Sequence, residues 1–193
     1  DNTKLELSTK SNLNDKTFDI IFEKLKKASR PVILAGTGVS ISKMSKQFLG
    51  LIRKLKIPVV TGWNAHDLIS NDNKYYAGKP GTVGDRPGNF TVQNSDLLIV
   101  LGCRLNIRQI SYNWKAFAPK AFKIMVDIDQ AELDKPTLKI DHKIKADLQT
   151  FIPLFIQKIQ DLNYTCTKEH KKYLMWCKER VIKYPVMLPE YSN

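Results

Sequence analysis

Five short stretches of the chain place small or polar residues directly after an apolar run: Gly36-Thr37-Gly38, Thr61-Gly62, Gly102-Cys103-Arg104, Asp127-Ile128-Asp129 and Ala146-Asp147. Each has a use at a ligand. Glycine lets a backbone approach closely, a helix starting after Gly38 would offer unpaired N–H groups to a phosphate, and Arg104 can neutralise an anion. Together they suit a dinucleotide or an adenine nucleotide. They do not form a standard NAD fingerprint, because Ile41 stands where a third glycine would complete G-x-G-x-x-G, and Thr61 stands where an acidic ribose ligand is expected. Local structure offers other uses for the same residues. Asp127 and Asp129 suit helix caps or turns, and Arg104 and Arg108 suit structural ion pairs.

Positioning these residues requires strands that end where they begin. Phe18, Ile21, Leu25 and Ala28 recur at helical spacing, predicting a first amphipathic helix from Thr17 to about Ser29. Pro31-Val32-Ile33-Leu34-Ala35 follows as a buried strand. After Gly36-Thr37-Gly38, the face made by Met44, Phe48, Leu51, Ile52 and Leu55 predicts a helix, and Pro58-Val59-Val60 a second strand. That succession has the length of a βαβ unit, whose crossover makes its strands parallel. Residues 62–94 carry five glycines and two prolines and read as irregular. Residues 96–101 and 122–127 are further strands, and Lys143-Ile144-Lys145 a short fifth. Phe151, Leu154, Phe155, Ile159 and Leu162 predict a closing helix. The expected fold is α/β: a doubly wound, mainly parallel, Rossmann-like sheet of about five to six strands with flanking helices. The expected division is a linker over 1–16, the α/β domain over 17–163, and a C-terminal helix and linker over 164–193. Tyr173, Leu174, Cys177 and Val181 are expected to face inward on that last helix.

With 193 residues and 42% hydrophobic content the chain can build one sizeable core. No run reaches the roughly 18 to 20 apolar residues of a membrane span, so a cytoplasmic protein without membrane contact is expected. Cys103, Cys166 and Cys177 have no metal-ligand spacing, so no zinc is expected. The net charge of +12 invites nucleic acid, but the lysines are scattered along predicted helices rather than interleaved with aromatics. Solvated helix faces are the better reading, and no nucleic acid partner is expected.

The succession of residues 30–38, 56–61, 95–104, 122–129 and 144–147 resembles the central domain of thiamine-diphosphate-dependent enzymes, with the large subunit of acetolactate synthase the nearest likeness. The resemblance runs from about Phe18 to Ile159. It implies a non-catalytic central domain between one flanking domain that grips the cofactor pyrimidine and another that holds its diphosphate through Mg2+. A homo-oligomeric parent is implied as well, acting as a carboligase or decarboxylase. In this family the central domain holds FAD, ADP or nothing. Carried over position by position, the FAD contacts fall on Gly36, Thr37, Gly38, Thr61, Gly62, Gly102, Arg104, Arg108, Asp127 and Asp147.

The chain departs from acetolactate synthases in three places. It has Gly36-Thr37-Gly38 for a glycine triplet, bulky Trp63 and Asn64 for small or aliphatic residues, and Leu105-Asn106-Ile107-Arg108 for an acidic-acidic-arginine sequence. The family's Gly-Asp-Gly magnesium signature with its later paired asparagines does not occur, so no catalytic and no metal-binding residue is expected here. Two alternatives follow from the same residues. Leu34 to Ser40 and Val92 to Asp96 echo the motifs of sirtuin-like NAD-dependent deacylases, though no histidine follows the Gln93-Asn94 pair and no zinc quartet exists. The other alternative is a structural module without a ligand.

Overall fold

The computed structural model describes residues 13–191. Most of the expected linker, residues 1–12, lies outside that range. The first helix, α1 (Asp15–Lys27), starts two residues earlier than its periodicity suggested, because Asn14 caps it by accepting the Thr17 N–H at 3.0 Å. It leads into β1 (Pro31–Ala35). The turn between them is tied down by Asp96, whose carboxylate accepts the Ser29 and Arg30 N–H groups at 2.9 and 2.8 Å.

The helix expected after the glycine turn is split. A single turn, α2 (Gly38–Ile41), breaks at Lys43, where φ is +59°, and α3 (Ser45–Leu55) follows. The break lets α3 turn Phe48, Leu51, Ile52 and Leu55 into the core. Then come β2 (Val59–Thr61), α4 (Arg86–Gln93), β3 (Leu97–Leu101), α5 (Ile107–Ile110), β4 (Phe122–Asp127), α6 (Gln130–Asp134), β5 (His142–Lys145), α7 (Leu148–Asp161) and α8 (Lys168–Lys183). The irregular stretch therefore contains α4, which the glycines and prolines conceal. Asp85 caps it through the Gly88 N–H at 2.7 Å, and Pro87 sits in the first turn, where proline lacks only an N–H the helix does not use.

All five strands are parallel in the order β2-β1-β3-β4-β5, so the expected doubly wound α/β fold is the one observed. Alternate residues of each strand point to opposite faces. Ile33, Val59, Ile99, Ile124 and Ile144 pack under α1, α3 and α7, where Phe18 stacks on Phe151 and Phe155 meets both rings at a tilt. Leu34, Val60, Val100 and Met125 pack on the other side with Val92 of α4, Leu133 of α6, and Tyr173 and Cys177 of α8.

On α7 the buried face is Leu148, Phe151, Ile152, Phe155 and Ile159. Leu154 and Leu162, expected to belong to it, are exposed: one lies to the side of that stripe and the other is the cap residue past the helix end. On α8, Tyr173 and Cys177 are buried while Leu174 and Val181 are half-buried. This helix is fastened to the domain. The Tyr173 hydroxyl donates to the Thr91 carbonyl at 2.5 Å, the fully buried His170 bonds the Ala28 carbonyl through Nε2 at 2.9 Å, and Lys178 reaches the Asn73 and Tyr76 carbonyls.

Candidate functional site at the strand ends

The chain runs from β1 outward to β2 and then returns to β3 on the other side of β1, so the sheet's switch point lies between β1 and β3. Ligands of open α/β sheets bind outside the carboxyl ends of the strands at such a point. Here the carboxyl ends of β1 and β3 touch. A methyl group on Gly36 would lie 2.2 Å from the Gly102 carbonyl oxygen and 2.5 Å from Cys103 Cα, and one on Gly38 would lie 2.7 Å from Gly102 Cα. Gly102 itself has φ +55°, the left-handed region that favours glycine. These three glycines are needed for backbone to meet backbone.

The same contact engages three N–H groups at this turn. The Gly36 N–H donates to Leu101, Gly38 to Gly102 and Val39 to Gly36, at 2.9, 3.0 and 3.2 Å. The single turn α2 therefore presents fewer open N–H groups than the glycine motif implied.

Two clefts lie on either side of this contact, sharing Thr37 and Arg104. The larger, about 590 Å³, spans the tips of β1, β3, β4 and β5 and gathers Thr37, Gly38, Gly102, Arg104, Asp127 and Asp147. The smaller, about 250 Å³, lies toward β2 and gathers Gly36, Thr37, Gly62, Arg104 and Arg108. Of the ten expected contact residues only Thr61 reaches neither; it is fully buried at the end of β2.

The larger cleft is acidic. Asp127, Asp129, Glu132 and Asp147 line it against the single Arg104. Part of this acidity is structural: Asp129 caps α6 through the Ala131 N–H, as the capping alternative anticipated, and Asp147, not expected as a cap, caps α7 through the Gln149 N–H, both at 2.8 Å. Asp127 accepts the Asp129 N–H at 3.0 Å, and burial pushes its carboxyl above the ordinary carboxylate range. Arg104 forms the expected ion pair, 3.4 Å from Glu132. Arg108 has no ion pair among the described residues.

Two apolar residues absent from the expected set complete this cleft. Ile41 and Ile128 are 77% and 45% exposed. Ile41 is the residue that breaks the glycine fingerprint, so the departure itself marked the position. In the smaller cleft the buried Gln109 donates to the Pro80 carbonyl at 2.6 Å, and Cys103 is an inert thiol, pushed up to about 11 by burial. Trp63, half exposed, forms one wall. Among the described residues no group of His, Cys, Asp or Glu is arranged to hold a metal ion, and no helix is long and apolar enough to cross a membrane.

A parallel sheet wound in both directions from a switch point, with clefts over its strand tips, defines a Rossmann-like α/β domain. Within that class the chain belongs to the family of thiamine pyrophosphate enzyme central domains, which it matches over residues 18–155. It is 36% identical over 145 residues to the probable acetolactate synthase large subunit of Methanococcus aeolicus, covering 75% of this chain and 23% of that protein. It is 32% identical over 180 residues to the acetolactate synthase large subunit of Cyanidium caldarium, covering 89% and 30%. It is 30% identical over 141 residues to the acetolactate synthase isozyme 2 large subunit of Escherichia coli (strain K12), covering 72% and 25%. The chain thus spans between a fifth and a third of the length of these relatives. The sirtuin-like alternative finds no support among them.

Proposed function

We propose that the chain serves as the non-catalytic central domain of an acetolactate synthase-type, thiamine-diphosphate-dependent enzyme, and that it holds the adenosine diphosphate moiety of a nucleotide across its two clefts. The carrying observation is the larger cleft. Its volume of about 590 Å³ falls within the usual range for ligand sites of ~300–1,000 Å³. Its exposed Ile41 and Ile128 offer an apolar seat for a purine ring.

The chemistry of the donor set fits the rest of the nucleotide. Carboxylates accept hydrogen bonds from the ribose hydroxyls, and such a donor would add to the backbone N–H groups of Ile128 and Asp129 that partly offset the desolvation of the buried Asp127. Phosphates are repelled by these carboxylates and drawn to Arg104 and Arg108 in the smaller cleft. That cleft, at about 250 Å³ and walled by Trp63, suits a diphosphate better than an added flavin. ADP is therefore the first reading and FAD the second. The bound group would supply no redox chemistry to the parent's main reaction; it would join the ends of β1, β3, β4 and β5.

On this reading the thiamine diphosphate and Mg2+ of the parent are held by flanking pyrimidine- and diphosphate-binding domains in a homo-oligomeric, cytoplasmic enzyme, and this domain orients them. Calorimetric titration of the chain with ADP should show one saturable site, weakened about tenfold or more in Asp127→Asn. A visible flavin absorbance band after reconstitution of the parent with FAD would favour the second reading. Neither binding would leave the module purely structural.

A further inference from the structure

A third cavity, about 610 Å³, adjoins the smaller cleft and is built from the β2–α4 connection and the end of α8. Trp63 and Val83 line both, so they form the wall between them. Its electrostatics are the reverse of those of the adenine-sized cleft. Lys79, Arg86 and Lys183 converge on it against one carboxylate, Asp85. Both oxygens of Asp85 are already engaged by backbone, from the Lys79 N–H at 2.9 Å and the Gly88 N–H at 2.7 Å.

None of the three cations is ion-paired among the described residues. Each lies instead over an aromatic ring. Lys79 is 5.9 Å from the centre of Trp63, and Arg86 and Lys183 are 5.7 and 5.5 Å from that of Tyr184. Like charges gathered round one cavity repel, and an anion entering between them relieves that repulsion. The indole of Trp63 and the phenol of Tyr184 add flat faces on which a ring can stack.

We infer that this cavity is a second binding site, for a small ligand carrying a phosphate or carboxylate on a flat ring, separated by Trp63 from the nucleotide clefts. The inference stands independently of the nucleotide reading, since none of the three cations lines either cleft.

The test titrates the chain with 4-nitrophenyl phosphate, a planar anion that quenches tryptophan fluorescence. Inorganic phosphate and the neutral 4-nitrobenzyl alcohol serve as the anion-only and ring-only arms. Saturable quenching by the aryl phosphate, at least about tenfold tighter than either arm, is expected, with an unchanged dissociation constant in Asp127→Asn, a residue that lines the larger cleft and not this cavity. The double variant Arg86→Gln/Lys183→Gln changes two exposed side chains and should keep the fold, checked by its thermal melt. It should weaken binding about tenfold. Absence of saturable quenching, equal quenching by the neutral ring, loss of binding in Asp127→Asn, or undiminished affinity in the double variant would each overturn the inference.

Discussion

Replacing Gly36 with alanine should unfold much of the chain's stability before any ligand is considered. The added methyl would meet the Gly102 carbonyl at 2.2 Å and the Cα and Cβ of Cys103 at 2.5 and 2.6 Å, all atoms fixed by the β3 strand end. The tips of β1 and β3 must then separate. That motion opens the Gly36 to Leu101 and Gly38 to Gly102 hydrogen bonds, each worth about 1 kcal/mol net. Overpacking adds about 1–3 kcal/mol, for a total of about 3–5 kcal/mol. Gly102→Ala should cost a similar amount, because the left-handed φ of +55° adds roughly 1–2 kcal/mol to contacts of 2.8 and 2.9 Å with Gly38 and Leu148. Gly62→Ala is the control. Its methyl would find neighbours at 3.5–3.7 Å with φ −61°, so its stability should lie within about 0.5 kcal/mol of wild type. Equilibrium urea unfolding of the three variants without ligand decides it, read as midpoint shifts at constant slope. A Gly36→Ala chain that keeps its midpoint but loses ADP binding would refute the reasoning, since the glycines would then serve the ligand rather than the strand contact.

Asp85→Ala removes the cap of α4 and orphans the Lys79 and Gly88 N–H groups, so a loss of about 2–3 kcal/mol is expected in the same unfolding assay. Tyr173→Phe deletes the hydroxyl bonded to Thr91 and should cost about 1–2 kcal/mol, with faster proteolysis of the segment that includes α8. Burial lowers the pKa of both His170 and His142 below their ordinary 6.5, so the unfolded chain takes up more protons as pH falls below about 7. Stability is therefore expected to fall from neutral pH toward acid. The raised carboxyls of Asp85 and Asp127 act in the opposite sense, gaining stability on protonation. His170→Gln leaves those groups in place, so the difference between its pH profile and that of wild type isolates His170. A smaller acid loss in the variant is expected, and identical profiles would exclude the histidine as a source.

The strand cores were legible because five apolar runs end in small or polar residues, and parallel strands buried on both faces need no alternation to announce themselves. The ends of helices were less so. The capping asparagine of α1 lies before its apolar period begins, and α4 hides behind Pro87 and Gly88, which read as breakers but serve as a first-turn residue and as a point of close approach to Lys79. At the site, residue type located the strand tips correctly but not their partners. Gly102 is far in sequence from Gly36 and Gly38, and nothing local reveals that they answer one another across the β1–β3 contact. Ile41 and Ile128 were legible only as interruptions of polar motifs, because an exposed isoleucine acquires meaning from the cleft it lines.

The charge pattern over the strand ends has a physical order that the net charge of +12 conceals. Moving across the sheet from β5 toward β2, the lining passes from four carboxylates around Arg104, through Arg104 and Arg108, to Lys79, Arg86 and Lys183 beyond Trp63. An adenine nucleotide entering this gradient is oriented by it, because its hydroxyl-bearing end and its phosphate end are attracted to opposite sides. The same gradient would draw the phosphate end onward into the basic cavity if the wall were absent. Trp63 and Val83, which line both the smaller cleft and the basic cavity, stand between two anion-attracting regions on one sheet edge. Trp63 thus bears on what these cavities can hold, while Gly36, Gly38 and Gly102 hold the strand ends themselves together.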